Sequence, residues 1–280
     1  MNEKQAEAID SVKVMSFNIA HGLGMDGLVN LEKTALAIEN SQADVIGLQE
    51  VDRYFSSRSS FVDQVAWLGG RLGMYTAYGA NLDMDPIRAG HPRRQYGNAI
   101  LSKYPIKYVE NHPLTAVHCE FGNNEQRGVL EAVVEMEGTL LHVFNTHLAL
   151  KEEELKVSID ELLSLTKKCQ LPHVLLGDFN APPDHEGIRR LNHHFTDAFL
   201  KLKKGDAYTY PTRYTNAATG ESYVPATRID YIFSDHQLQA VGAAAADTAV
   251  SDHLPIFADF VLQTAKTPVQ PKTHPALQKI

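Results

Sequence analysis

Two polar side chains close an apolar run in LLGDFNAPP, residues 175–183. Asp178 and Asn180 are separated by one residue, so in an extended chain they share a face. A carboxylate at the end of a buried strand is costly unless it is paired or holds a cation. A simple turn would also account for the pair, because Asp and Asn favour strand ends and Pro182 and Pro183 follow. The ending recurs, however. VMSFN closes on Asn18, VIGLQE on Glu50, and LLHVFNTH on Asn145 and His147. RIDYIF carries Asp230 inside an apolar run, and Asp252 and His253 stand just before LPIF. Repetition on this scale points to strands converging on one polar site, since open α/β sheets place ligands beyond their strand ends. Carboxylate and amide oxygens suit Mg²⁺ or Mn²⁺, which keep some waters and also bind substrate phosphate. Histidines beside carboxylates suit proton transfer. None of these segments contains cysteine, which disfavours a soft-metal site.

The segments that must position these residues read as strands: 12–19, 44–50, 97–103, 129–136, 140–148, 173–179, 228–233 and 254–261. Alternation along 44–50 puts Glu50 on the face of Leu48 and Ile46. Helical spacing appears at 28–41, 61–73 and 152–168, the last with an acidic start and a basic end that suit the helix dipole. Strands outnumber helices, and both hairpin and crossover spacings occur. That pattern predicts a mixed α/β layered domain with more than one sheet. The polar stretch 80–95 reads as a long loop. Residues 1–11 read as an N-terminal extension, 12–262 as the domain, and 263–280, with three prolines and no apolar period, as a mobile tail.

Bulk properties narrow the possibilities. The chain has 280 residues, 44 % apolar and 21 % charged, which is ordinary for a globular protein. Its formal net charge of −8 leans against a non-specific nucleic-acid coat. The two cysteines, Cys119 and Cys169, stand far apart, so neither a disulfide framework nor a zinc cluster is expected. No apolar run has the length of a membrane span, and the acidic N-terminus lacks the apolar core of a secretory signal. The expectation is a cytoplasmic protein with no transmembrane segment and no obligate protein partner.

VMSFNIAHG, DVIGLQEVD, YGNAILSKYPI, FNTHLAL, LLGDFNAPP, RIDYIF and SDHLPI together resemble the ordered motif set of the endonuclease/exonuclease/phosphatase superfamily. The resemblance runs from about residue 12 to residue 261. It implies a DNase I-like four-layer α/β sandwich, with two mixed β-sheets packed face to face and flanked by helices. It also implies a metal-dependent phosphoester hydrolase with Mg²⁺, or Mn²⁺, as cofactor. Carried over residue by residue, Glu50 matches the main metal ligand, with Asn18 and Asp252 beside the metal. Asp178 and Asn180 match the pair that orients the attacking water and holds the phosphate. His253 matches the general base or phosphate contact, and Asp230 the carboxylate that binds it. His147 matches a second histidine, general acid or stabiliser of the transition state. Asn98 stands where a polar residue faces the site. The implied reaction is in-line attack of water on a phosphodiester of a small molecule, a lipid headgroup or a nucleic acid, with nuclease activity as the alternative.

Arginine forks suit phosphate. Arg53, Arg94 and Arg127 are candidates for substrate contact, with Arg58, Arg88 and Arg93 nearby in sequence; each could equally be a solvated surface residue. GLGMDG (22–27) has the outline of a dinucleotide-binding loop after a strand, with Glu50 at the spacing of a ribose-binding acid. That outline leaves GDFN, RIDY and SDH unexplained. Ser251, Asp252 and His253 are adjacent and so cannot form the geometry of a serine-hydrolase triad. His185, His193 and His194 read as surface residues.

Overall fold

The structure, a computed structural model, describes residues 11–117, 125–205 and 207–263. The proposed extension up to residue 10 and the proposed tail beyond Gln263 lie outside the described residues. In chain order the elements are β1 (Ser11–Asn18), α1 (Leu31–Ser41), β2 (Val45–Arg53), α2 (Gln64–Leu72), β3 (Tyr75–Met84), β4 (Arg94–Ser102), β5 (Ile106–Pro113), β6 (Gly128–Met136), β7 (Thr139–His147) and α3 (Glu152–Thr166). There follow β8 (His173–Asp178), α4 (Glu186–Asn192), β9 (Thr196–Asp197), α5 (Ala198–Lys201), β10 (Tyr214–Thr215), β11 (Ser222–Tyr223), β12 (Asp230–Ser234), β13 (Leu238–Ala245) and β14 (Ile256–Leu262).

Two six-stranded mixed sheets form, in the orders β13-β14-β1-β2-β4-β3 and β5-β6-β7-β8-β12-β9; β10 and β11 make a separate small hairpin. Alternate residues of both sheets meet in a shared apolar core, with Val14, Val45 and Ile100 facing Leu130, Val143, Leu176 and Ile232. The other face of the first sheet packs Met15, Phe17, Ile46 and Leu48 against Ala35, Ile38, Val65 and Leu68 of α1 and α2. The other face of the second sheet packs Phe144, Leu175 and Phe233 against Leu155, Ile159 and Leu162 of α3 and Ile188 of α4. The result is the four-layer sandwich that the motif set implied. Two parallel pairs, β1 with β2 and β7 with β8, are each joined by a helix. A parallel pair puts both C-terminal ends on one side. Asn18 and Gln49, and His147 and Asp178, are therefore brought into register at those ends, with Asp230 opposite Asp178 on β12.

Local chemistry moves several boundaries. α1 begins at Leu31 because Asn30 caps it, accepting from Lys33 N at 3.1 Å, and α2 begins at Gln64 because Asp63 caps it. The expected loop over 80–95 shrinks to 85–93. β3 continues to Met84 as an edge strand whose exposed face accepts polar residues. The dinucleotide outline also fails. Gly27 ends three residues before α1, and Asn30 fills the helix N-terminus that a dinucleotide would need. His193 and His194 are exposed as expected, but His185 is half-buried, capping α4 and meeting Glu152 at 2.8 Å. No helix among the described residues is long and apolar enough to cross a membrane.

A polar cluster sits on the outer face of the second sheet, away from the strand ends. Glu131 accepts from His112 Nε2 and His142 Nε2, each at 2.5 Å. Burial would raise the Glu131 carboxyl, but the two imidazoles bring it down to about 2 and His112 is pushed up in return. The carboxylate's contribution is present above its ordinary range near 4.5 and is lost as pH falls through about 2. The His112 contribution is present below about 6.5 and is lost as pH rises through its raised value. Glu131→Gln is therefore expected to lose about 3 kcal/mol, the order for breaking a buried pair. The loss should be greatest between those limits. Urea unfolding at acid, mildly acid and alkaline pH measures it, and a difference that does not vary with pH would discount the pair.

Candidate active site

The polar strand ends meet at one end of the sandwich. Asn18, the last residue of β1, is buried and bridges two carboxylates: its Nδ2 donates to Glu50 Oε1 and to Asp178 Oδ2, each at 3.0 Å. Its Oδ1 accepts from Ala20 N at 3.1 Å. Asn18 thus turns its donors to the acids and spends its oxygen on the backbone, so it clamps the acids and does not offer the ligand oxygen expected of it.

Glu50 corrects the simple alternation. The register between β2 and β4 shifts between Leu48 and Val51, and Glu50 has φ 59°, in the left-handed region. The bulge swings its carboxylate toward Asn18, while Leu48 and Ile46 remain in the outer core. Strained backbone of this kind costs of order 1–3 kcal/mol and collects at functional sites.

Asp178 is the hub. Oδ1 accepts from Asn180 N at 2.9 Å, and Oδ2 lies 3.5 Å from His147 Nε2 and 3.6 Å from His253 Nε2. Burial drives this carboxyl up to about 7, against the opposing pull of His253. Asn180, at φ 51°, leaves the strand in a tight turn but still reaches the site. Both of its amide hydrogens are engaged, by Leu148 O at 2.9 Å and by His147 Nε2 at 3.1 Å. In this arrangement Asn180 fixes a histidine and has no spare donor for phosphate. His147 consequently carries a lone pair on Nε2. Burial, then Arg127 and His253, push its pKa well below the ordinary value. That state offers no Nε2 proton, contrary to the general-acid expectation.

His253 Nδ1 meets Asp230 Oδ2 at 3.0 Å, which leaves Nε2 facing Asp178. Burial alone would lower its pKa; the carboxylates of Asp230 and Asp178 outweigh burial and carry it to about 10. Ser251 Oγ donates to Asn18 O at 2.7 Å and accepts from His253 N at 3.3 Å, tying the last loop to β1. Thr209 Oγ1 accepts from Asp230 N, and the Tyr210 ring lies 4.8 Å from the His253 ring. Asp252 is half-buried beside this group, where its charge helps to raise His253.

Beneath the site, a buried amide brace joins the sheets. Gln49 Nε2 donates to Asn145 Oδ1 at 2.7 Å, and Asn145 Nδ2 donates to Leu48 O and Ala99 O across the interface. Asn145, a strand-end residue that looked chemical, is thus structural. Asn98 is buried, donating to Gly128 O while its Oδ1 lacks a partner among the described residues. Arg127 is buried, 2.8 Å from Glu125, and close enough to depress His147. Arg53 is not brought in: it pairs with Asp63 and lies over the Tyr78 ring. Arg94 sits farther out, donating to Asp85 O. Gln49, Thr209, Tyr210 and Ser251 escaped sequence reasoning as site residues. SDH was the visible signal for Ser251; the other three carried none.

The donor set suits a hard divalent cation. Glu50, Asp178, Asp230 and Asp252 concentrate four carboxyl groups at one end of the sandwich. The ligand atoms of Asp178, Asp230 and His253 lie within 4.8 Å of one another, and the buried Asp230 Oδ1 has no partner among the described residues. Such a charge excess is stabilised by a cation with oxygen preference.

Comparisons with known proteins agree with this geometry. The family model described as Endonuclease/Exonuclease/phosphatase family matches residues 15–253. YbhP of Escherichia coli (strain K12) is 26 % identical over 277 residues, covering 90 % of this chain and 97 % of that protein. Nocturnin of Xenopus laevis is 25 % identical over 300 residues, covering 92 % of this chain and 74 % of nocturnin. The crystal structure of an endonuclease/exonuclease/phosphatase from Beutenbergia cavernae DSM 12333 superimposes with a TM-score of 0.73 at 26 % identity, covering 90 % of this chain and 72 % of that one.

Proposed function

Because the chain belongs to the endonuclease/exonuclease/phosphatase family, whose members are hydrolases acting on phosphoesters, we propose that it is a Mg²⁺- or Mn²⁺-dependent phosphodiesterase. The observation that carries this reading is the meeting of Asp178 Oδ2 with Asn18, His147 and His253 beside Glu50 and Asp230. Glu50, with Asp252 and the unpartnered Asp230 oxygen near by, would hold the cation. When bound, the cation supplies positive charge for the phosphate oxygens and the leaving oxygen.

The residues of the chain do the rest. Asp230 holds the Nδ1–H of His253, orienting the ring, stabilising its cation and leaving Nε2 toward the reacting atoms. The 3.6 Å gap between His253 Nε2 and Asp178 Oδ2 exceeds a direct hydrogen bond and admits a water; the imidazolium favoured by Asp230 and Asp178 offers its Nε2–H there, so Asp178 Oδ2 is the acceptor. That water passes a proton to Asp178 as its oxygen bonds to phosphorus, and the opposite P–O bond breaks. Asn180 keeps His147 lodged against Asp178, and Arg127 provides a second cation at the phosphate. A diester suits the charge balance. It brings one negative charge to an acid-rich site, where a monoester brings about −1.5 to −2. The net charge of −8 disfavours a long nucleic-acid strand.

Turnover of bis-p-nitrophenyl phosphate, p-nitrophenyl phosphate, plasmid DNA and RNA, each with Mg²⁺, Mn²⁺ or EDTA, tests this assignment. The small diester should be cleaved fastest, and only with metal. Preferential cleavage of DNA or RNA would instead favour a nuclease, and preference for the monoester a phosphatase.

A further inference from the structure

A cavity of about 370 Å³ opens at the end of the first sheet beyond Glu50, within the usual size range of small-molecule sites. Tyr54, Phe61, Ile87 and Pro92 make its apolar wall, and Arg88, His91 and Arg94 stand on its rim. Among the described residues none of its lining is acidic.

The rim is unusual for this chain. Neighbouring arginines are committed: Arg53 to Asp63, Arg58 to Asp52, and Arg93 to Asp83 and Asp85. Arg88 and Arg94 have no carboxylate partner among the described residues, although the chain carries a net −8. The wall is unusual as well. Phe61 and Ile87 are exposed large apolar residues. Tyr54 and Phe61 hold φ of 52° and 53°, left-handed values that bulky residues seldom adopt and that collect at ligand clamps. Backbone bonds from Tyr54 N to Val62 O and from Phe61 N to Ser56 O lock both in place. The cavity shares strand β2 with the active site. Tyr54 follows Glu50 by four residues, about 13 Å of strand. Arg58, stacked between Phe55 and Tyr96, fills the intervening surface.

We propose that this cavity is a binding site for an aromatic group that carries its own negative charge. The rings of Tyr54 and Phe61 line the cavity for a planar group, and Arg88 and Arg94, neither paired with a carboxylate among the described residues although Arg94 Nε donates to Asp85 O, suit a phosphate, sulfonate or carboxylate. A long acyl chain would leave the cations unsatisfied, and a sugar phosphate would leave the aromatic wall unused. As the seat of the substrate's far end, the cavity rests on the phosphodiesterase reading; as an aryl-anion site it does not.

The probe is 1-naphthalenesulfonate, titrated by fluorescence into the full chain in EDTA. It should bind at least tenfold more tightly than neutral 1-naphthol or methanesulfonate. Arg88→Ala/Arg94→Ala and Phe61→Ala should each weaken it tenfold or more, with unchanged circular dichroism. Glu50→Gln and Asn180→Ala should bind it as the wild type does. With Mg²⁺ it should inhibit hydrolysis of bis-p-nitrophenyl phosphate competitively. Wild-type affinity in the Arg88/Arg94 and Phe61 variants, or loss of binding in Asn180→Ala, would overturn the site. Binding without competitive inhibition would overturn its role as a substrate subsite. Binding that persists in a chain unable to cleave the diester would support the site while refuting the phosphodiesterase assignment.

Discussion

His253→Ala lowers kcat for bis-p-nitrophenyl phosphate by about a thousandfold, in the middle of the range for removing a positioned acid or base. KM changes much less, because the imidazolium acts on the charge that develops as the water attacks. Two features make the loss large. His253 Nε2 lies across a 3.6 Å gap from Asp178 Oδ2, and among the described residues no other histidine can take its place. His147, the nearest, has its Nε2 lone pair tied to Asn180. Asp230→Asn should cost about a hundredfold, since the amide can hold the ring in the wrong tautomer without moving it. Steady-state kinetics on both variants provide the check. A loss under tenfold for His253→Ala would remove the imidazolium from the chemistry and leave Asp178 to act without it.

Gly177→Ala is the largest stability effect expected. Gly177 has φ 145°, and a Cβ there would lie 1.9 Å from Thr146 O on the neighbouring strand. Thr146 is backbone paired in register with Gly177, so it has nowhere to retreat without breaking the β7–β8 ladder. The cost falls in the exceptional class of about 4 kcal/mol or more, with a fall in Tm of about 10 °C by the usual scaling. Gly70→Ala in α2 is the control. Its Cβ would meet nothing within 4 Å, and Ala is the better helix former by about 0.5–1 kcal/mol. Paired thermal melts read the contrast directly; similar Tm values for the two variants would contradict the close approach of the strands. Gly177 directly precedes Asp178, so the same tight ladder that forbids a side chain also fixes the hub of the site.

Much of this arrangement was legible because strand ends are a local property. Asp178, His147, Asp230 and His253 sit at the ends of apolar runs or just before them, and period-two alternation puts the first three on the inner face. Glu50 shows the limit. Alternation assigns it to the face of Leu48, yet a bulge with φ 59° turns it inward, and nothing in VIGLQEVD announces an extra residue in the ladder. Partner choice is the second limit. Arg53 and Arg88 look alike in sequence, but Asp63 folds back onto the first and, among the described residues, no carboxylate reaches the second. Thr209, Tyr210 and Ser251 are the third. Their contacts with β12, His253 and β1 bridge loops far apart in the chain, and only the closed sandwich brings them together. β3, β5 and β13 went unread as strands because all three are sheet edges: β3 and β5 have polar faces and β13 is rich in alanine and glycine, so their periodicity is faint.

On the proposed function, acids gathered by the strand ends hold a divalent cation for phosphodiester hydrolysis. Hydrolysis of bis-p-nitrophenyl phosphate across a Mg²⁺ titration, by metal-stripped wild type and Glu50→Gln, tests it most directly. Wild-type turnover should be absent in EDTA and rise to saturation with Mg²⁺, and Glu50→Gln should need at least tenfold more Mg²⁺ and still fall short of the wild-type maximum. Full turnover in EDTA, or identical Mg²⁺ curves for the two proteins, would contradict the account.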